Sequence, residues 1–300
     1  SISDKGITAD LALIAAHLRS NQLDKALKAI DGLEKKQPEN PATYNLRARA
    51  LLARKDVDGA RKNFEKALSV NPTFFPAVAS LASLDIINKK PDDARKRFET
   101  LLAVDPKNIQ ALLALAELKA ANGGTADEIT SAIGKAISAN PSEIAPRLAL
   151  IQYHLKNKDV KKALGAANEA ATSIPDKAEI LDALGRTQQL SGDLNQALIT
   201  YGKLSSLQPG SPLPLLRSAE IQFANKNKDE GVKNLKKALE IKPDNVDAQR
   251  ALIQVAMENK NLSNALEIAR TIQKQRPKEA VGYLLESDIQ AFNKAWAEAV

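Results

Sequence analysis

The sequence predicts an all-α fold, an α-solenoid of helical hairpins. Three observations predict it. Pro38, Pro72, Pro106, Pro141, Pro175, Pro209, Pro243 and Pro277 follow one another at 34 residues, with a single interval of 35. Within that beat the apolar residues have helical spacing: Ala60, Phe64, Ala67 and Leu68 form one face of a helix that opens at a turn carrying Asp56 and stops at Pro72. Small and large residues also keep fixed places within the period. A constant period near 34 residues is that of a helical-hairpin array in which each unit contacts mainly its neighbours.

Bulk composition agrees. A chain of 300 residues would ordinarily suggest about two globular domains, but the repeat replaces that prior with one elongated array. Ala, Leu and Lys are abundant, with 13 Gly, six Phe, four Tyr and one Trp. The absence of cysteine excludes disulfides and thiolate metal sites. No stretch has the ~18 consecutive apolar residues of a membrane span. The net charge of +7 is spread along the chain, as on a solvated helical surface with a general preference for acidic partners. The chain opens on Ser1-Ile2-Ser3-Asp4, without an initiator Met or a signal peptide, and ends within a helical pattern at Ala297–Val300. We expect a piece of a longer protein, with any targeting sequence outside it.

Placing position 1 of each repeat 31 residues before its proline gives starts at 7, 41, 75, 109, 144, 178, 212 and 246, eight complete units over 7–279. A truncated ninth covers 280–300, and 1–6 is expected to be disordered or extraneous. First helices are expected at 7–20, 41–54, 75–88, 109–122, 144–157, 178–191, 212–225, 246–259 and 280–293, with second helices after turns of two to three residues. Position 20 is small in every repeat but the fourth, where Ile129 stands. Position 8 is mostly small (Ala48, Ala82, Ala116, Gly185, Ala219), and position 24 mostly large (Ile30, Phe64, Phe98, Ile133, Tyr201, Leu235). There the helices should interlock, since a small residue admits close approach. Asn recurs at position 14 (Asn88, Asn122, Asn157, Asn225, Asn259, Asn293) and is expected to take the left-handed helix-ending conformation. Asn40-Pro41 and Ser211-Pro212 read as N-cap and first helical position, with Asn108 and Asn245 as similar caps. The extra residue falls near Gly123-Gly124, in a turn that absorbs it cheaply. In the ninth unit Leu284, Leu285, Ile289, Phe292 and Trp296 lack a covering helix, so this end is expected to fray or to be buried against a second molecule.

Small residues at 8 and 20, a large one at 24, Ala or Leu at 27 and Pro at 32 resemble the tetratricopeptide repeat (TPR) over residues 7–300. Repeat two is closest, with Tyr44, Ala48, Ala60, Phe64, Ala67 and Pro72. Position 11 departs from the family's frequent Tyr, with His17, Leu51, Asp85, Lys119, His154 and Gln188. The resemblance implies a right-handed superhelix whose first helices line a concave groove. Several stretches, among them Phe75–Asp85, Asn108–Leu118, Ala145–Leu150 and Gly282–Glu286, further resemble the TPR-repeat lipoprotein of the PEP-CTERM/exosortase system. That narrower resemblance implies a periplasmic lipoprotein, anchored through an N-terminal Cys not present here, in a bacterial exopolysaccharide export and protein-sorting setting. A cytoplasmic location is the alternative.

No catalytic constellation is present, so the expectation is a non-enzyme without cofactor or metal. His17 and His154, the two histidines, both occupy position 11, four repeats apart, and cannot share a metal. There is no GxxxxGK[ST], GxGxxG or HExxH motif. Asp92-Asp93 complements a helix dipole. Lys35-Lys36, Lys89-Lys90, Lys161-Lys162 and Lys236-Lys237 read as solvated surface. So few aromatics argue against nucleic acid.

What remains is the groove. In the resembled fold, positions 2, 5, 6, 9, 12 and 13 face it, which selects the cations Arg19, Arg49, Lys156, Arg186, Arg217 and Arg250. Five of these six are Arg in a chain with 30 Lys and 13 Arg. Arg presents a planar fork of donors suited to carboxylate, phosphate or sugar groups. Arg186, Arg217 and Arg250 lie in consecutive repeats, beside Asp182, Glu220 and Gln254, with Asn45 near Arg49. These eight residues are the candidate partner site. The alternative is that the arginines only pair with Asp182, Glu220 and Glu117. Positions 5 and 9 do not reproduce the clamp by which related proteins hold C-terminal carboxylates. Leu113, Leu148, Leu216, Phe223 and Met257 instead suit a partner helix or extended peptide. The expected function is a protein-binding scaffold. The alternatives are direct, salt-sensitive binding of acidic polysaccharide, or a regulatory arm of a larger enzyme. Membrane association is expected only through the lipid anchor.

Overall fold

The computed structural model describes residues 2–292, with side chains from residue 7. Among the described residues there are seventeen helices and no strands. The first helices of the repeats are α1 (Ile2–Arg19), α3 (Pro41–Ala53), α5 (Phe75–Ile87), α7 (Ile109–Ala121), α9 (Ile144–Lys156), α11 (Ala178–Ser191), α13 (Leu213–Ala224), α15 (Val246–Glu258) and α17 (Val281–Phe292). The second helices are α2 (Leu23–Lys36), α4 (Val57–Val70), α6 (Pro91–Val104), α8 (Ala126–Ala139), α10 (Val160–Ser173), α12 (Leu194–Leu207), α14 (Lys228–Ile241) and α16 (Leu262–Gln275). This is the α-solenoid class. The chain divides into two compact units, Ser1–Ala149 and Leu150–Val300, with the division inside α9. In the first unit α1 to α8 pack consecutively, and in the second α10 to α17 do so.

Most expected boundaries hold to within one residue. α1 is the exception: it begins at Ile2, where disorder through residue 6 was expected, because no proline interrupts the segment and the helix extends backward from the first repeat. Trp296, Asn293 and the stub of the ninth second helix lie outside the described residues.

The caps explain the punctuation. Asn40 Oδ1 accepts from Ala42 N at 2.9 Å, with Pro41 beginning α3. Asn108 and Asn245 accept from Ala111 N and Ala248 N at 3.0 and 2.9 Å. Ser211 differs: α13 begins at Leu213 rather than Pro212, and the Ser211 hydroxyl accepts from Leu213 N at 3.4 Å. The extra residue of repeat four lies where expected, in the turn from Asn122 to Thr125, and Thr125 and Glu128 close it with a reciprocal capping box.

The turn within each hairpin corrects the reading of position 14. Asn88 has φ −81° and Asn259 φ −81°, neither left-handed. The left-handed residue is the next one: Asn21, Lys55, Lys89, Gly123, Lys158, Gly192, Lys226 and Lys260 all have positive φ. Lys89 N donates to Ile86 O at 2.9 Å and Lys90 N to Asp85 O at 2.8 Å. This pair of bonds is a Schellman motif, in which the residue after the cap must turn left-handed so that two orphan carbonyls are met.

The core is a row of hairpin interiors, and volumes compensate in several of them, although in the first repeat Ile14 and Ile30 are both large. Ala48 packs with Phe64, Ala82 with Phe98 and Ala219 with Leu235 in their respective clusters. Where position 8 is instead Ile253, position 24 shrinks to Ala269 in the same cluster. Ile151 and Ala167 repeat that exchange, both buried. Position 4 ties neighbouring repeats. Tyr44 Oη, Arg147 Nη2 and Gln249 Nε2 donate to the carbonyls of Pro38, Pro141 and Pro243 at 2.6, 3.1 and 3.2 Å. Three chemically different side chains thus satisfy one recurrent backbone acceptor, as burial requires.

Candidate functional site

The expected site residues fall into two groups. Asn45 and Arg49 lie on α3 of the first unit, Asn45 partly buried and Arg49 exposed. The other six, Asp182, Arg186, Arg217, Glu220, Arg250 and Gln254, lie on α11, α13 and α15 of the second unit. Arg19 and Lys156 are exposed, on α1 and α9.

In the second unit the first helices wall two hollows. One, of about 220 Å³, is lined by Leu213, Leu216, Arg217, Glu220 and Phe223 with Asp247 and Ala251. The other, of about 610 Å³, is lined by Arg250, Ala251, Gln254, Met257 and Glu258 with Leu285, Asp288 and Phe292. Ala251 borders both, so they adjoin along α15. The floors are apolar and the rims charged, the mixture of a ligand-binding concavity. Leu216, Phe223 and Met257, expected to suit a partner helix, line these floors. Phe223 owes its place to Gly231, where a Cβ would come within 2.6 Å of its ring.

The three arginines are not equivalent. Arg217 Nη1 lies 3.3 Å from Glu220 Oε2, and Arg217 Nε lies 3.8 Å from Asp182 Oδ1. The pairing that sequence reasoning held as an alternative is therefore present for Arg217. Arg186 and Arg250 are exposed and form no ion pair among the described residues. Gln254 donates to Glu258 at 3.3 Å, and Lys228 holds the same carboxylate at 2.7 Å. Hydrogen bonds from Lys228 and Gln254 hold the Glu258 carboxyl below its usual range.

Sequence reasoning treated Tyr201 only as a core residue. Its ring is fully buried, its hydroxyl has no hydrogen bond among the described residues, and it feels the charges of Asp182 and Arg217. Burial, then the Asp182 carboxylate, pushes the Tyr201 phenol far above its ordinary value, while Arg217 and Arg186 pull it back. The available signal was Gly185 at position 8 opposite the one Tyr at position 24.

Two further polar arrangements lie at position 11. Asp85 is buried between Arg61 Nη1, at 3.0 Å, and Arg97 Nε. Burial alone would raise its carboxyl, but the hydrogen bonds from Arg97 and Arg61 bring it below the usual range. Gln188 Oε1 accepts from Thr200 Oγ1 at 2.7 Å, and both residues are buried. Arg97 and Thr200 share position 23, so positions 11 and 23 form a coupled polar slot. His154, also at position 11, is shifted downward by burial. Among the described residues no group of three or more His, Asp or Glu could hold a metal ion, and no helix is long and apolar enough to cross a membrane.

Comparisons with known proteins fit this architecture. One tetratricopeptide-repeat family model matches residues 51–118 and 229–287, and a second matches 11–74. No curated protein matches the sequence. Among solved structures, the C-terminal part of a TPR repeat-containing protein from Cytophaga hutchinsonii is similar at 19% identity and TM-score 0.50, over 78% of this chain and 96% of that one. MamA protein is similar at 20% identity and TM-score 0.43, over 56% of this chain and 92% of that one. The structure of Naa15/Naa10 bound to HypK-THB matches at 18% identity and TM-score 0.48, over 97% of this chain and 46% of that one. At 19% identity the likeness to the Cytophaga hutchinsonii protein is one of fold alone. The two family models together span more than half of the sequence, and the chain belongs to the tetratricopeptide-repeat family.

Proposed function

We propose that the chain is a non-catalytic scaffold that holds a protein partner on the first-helix face of its second unit, as an extended peptide or a helix. The observation that carries this reading is the pair of adjoining hollows: apolar floors from Leu216, Phe223 and Met257 beside rims bearing Arg217 and Arg250, with Arg186 exposed on the neighbouring α11. Apolar anchors would supply most of the affinity, and the charged rim would set orientation and encounter rate. The acidic-polysaccharide alternative needs a strip of available arginines, and Arg217 is already shared between Asp182 and Glu220, which favours the peptide. The envelope setting, with a lipid anchor and a link to exopolysaccharide export, belongs to this proposal on the resemblance of Phe75–Asp85, Asn108–Leu118, Ala145–Leu150 and Gly282–Glu286 alone. The regulatory-arm reading would share the same groove.

The test is selection of peptides from a random library on the intact chain at physiological salt, with acidic polysaccharide in parallel. The affinity of selected peptides should fall tenfold or more both in Phe223→Ala/Met257→Ala and in Arg186→Ala/Arg217→Ala/Arg250→Ala. Peptides indifferent to both variants would refute the groove. Polysaccharide capture that is lost with added salt and with the arginine variant alone would favour the alternative.

A further inference from the structure

Beside the smaller hollow lies a polar niche that the arginine strip does not explain. Tyr201 Oη, Asp182 Oδ1 and Arg217 Nε are buried without a hydrogen bond among the described residues. They come from three successive helices, α12, α11 and α13. Asp182 Oδ1 and Arg217 Nε, at 3.8 Å, attract one another but are too far apart to bond. Gly185, one helical turn beyond Asp182, gives up its Cβ position to the Tyr201 ring, whose Cζ would lie 2.7 Å from a methyl placed there. Other atoms are buried and unpaired too: Gln249 Oε1 and Arg276 Nε, on side chains whose remaining groups are bonded, and Thr43 Oγ1 and Asn45 Oδ1 on α3 of the first unit. The Tyr201 hydroxyl has no second group. A buried polar atom left unmet is destabilising, so three on adjoining helices, with Tyr201 within the electrostatic reach of both Asp182 and Arg217, point to a common partner.

The local charges cancel, Arg186 and Arg217 against Asp182 and Glu220, so the niche favours neither an anion nor a cation. Asp182 Oδ1 can only accept, Arg217 Nε–H can only donate, and a phenol does either. A group carrying N–H next to C=O meets all three. The Asp182 and Arg217 side chains are 25% and 28% exposed, so the rim of the niche opens on the groove. We propose that Tyr201, Asp182 and Arg217 form a recognition site for an amide, its N–H donating to Asp182 and its carbonyl accepting from Arg217 Nε and the Tyr201 hydroxyl. This deepens the peptide-binding reading and rests on it. The amide is the primary amide of an Asn or Gln side chain, which presents N–H and C=O on one side, whereas a trans main-chain amide points them apart and cannot span two atoms 3.8 Å from one another. A carboxylate lacks the N–H donor that Asp182 Oδ1 requires.

The intact chain, labelled with ¹³C at tyrosine Cζ, gives one resonance for each of its four tyrosines, and Tyr201→Phe assigns the relevant one. Acetamide represents the side-chain amide, N-methylacetamide is the trans control, and sodium acetate and sodium sulfate at matched ionic strength represent the anions. We expect acetamide to shift the Tyr201 resonance saturably, with N-methylacetamide weaker and the anions inert; a response to N-methylacetamide alone would contradict the geometry. Asp182→Ala should weaken that response at least tenfold while the other three resonances stay in place, which reports an intact fold. No shift with either amide, or a stronger one with acetate, overturns the proposal. If selected peptides bind the groove while the Tyr201 resonance ignores amides, the niche fails alone. If amides bind the niche but no peptide binds the groove, the peptide reading fails alone.

Discussion

Lys89 has φ 58°, in a region that costs an L-residue about 1–2 kcal/mol. Four other lysines hold the same place in their repeats, where Gly123 and Gly192 stand elsewhere. Each follows the end of a first helix, where a cation complements the dipole, and this partly offsets the strain. Lys89→Gly should therefore raise stability by about 0.5–1 kcal/mol, the relief of strain less the entropy glycine gains in the unfolded chain. A chemical-denaturation midpoint measures it, and a decrease would show that the lysine does more than end a helix. Gly185 presents the opposite case. A Cβ there meets Tyr201 Cζ, Cε1 and Cε2 at 2.7, 2.8 and 3.0 Å, and that ring is fully enclosed. Gly185→Ala should cost about 1–3 kcal/mol, whereas Gly231→Ala should cost less, because Phe223 is only partly buried and can swing away. The sequence made Gly185 visible as a small residue at position 8. The Tyr201 hydroxyl beyond it was not visible, since periodicity says which ring is buried but not which polar atoms converge at its tip. The left-handed position was misassigned by one residue for a related reason: Asn is the better left-handed residue by propensity, but the two Schellman hydrogen bonds place the turn after it.

At the scale of the helix, α4, α5 and α6 are joined by a buried charge. Asp85 on α5 receives Arg61 from α4 and Arg97 from α6, with both arginine side chains 27% exposed. Its carboxyl is held below the usual range, so the folded state binds the proton less readily than the unfolded chain. The stability this contributes is fully present above the ordinary carboxylate value near ~4 and is lost as the pH falls through the lower folded value. Asp85→Asn should cost about 3 kcal/mol at neutral pH, and its deficit against wild type should shrink steadily below about pH 4. Urea titrations at pH 7 and pH 3 read the two deficits, and an equal gap at both would mean that the carboxylate's charge contributes nothing. The helices themselves were legible, because proline spacing and caps such as Asn40 and Asn108 fix where each begins. The Asp85 triad was not. A lone Asp among apolar residues reads as a departure from pattern until Arg61, 24 residues before it, and Arg97, 12 after it, are brought to its side.

Across the whole chain the repeat makes a claim about energetics as well as form. In an array each unit contacts mainly its neighbours, so stability is close to a sum of repeat and nearest-neighbour terms, and distant repeats are weakly coupled. Gly185 lies in the sixth repeat and the Phe64 core in the second. If the chain unfolded as one cooperative body, Gly185→Ala would lower the protection of every slow amide by the same amount. If it behaves as an array, the loss stays with α11, α12 and α13 and fades in the repeats beyond. Hydrogen exchange followed by mass spectrometry distinguishes these outcomes. Peptides from 178–224 should exchange tenfold or more faster in the variant, while those from 57–70 stay within about twofold of wild type, the separation expected of sites with no shared partners. Equal acceleration in both would mean that coupling runs the length of the chain, and the groove residues could not then be treated as a local property of three helices. Confined acceleration carries a consequence for binding. An amide ligand at Tyr201, Asp182 and Arg217 would slow exchange in the same 178–224 segment and leave 57–70 unchanged, because a ligand stabilises what it contacts and coupling decays repeat by repeat.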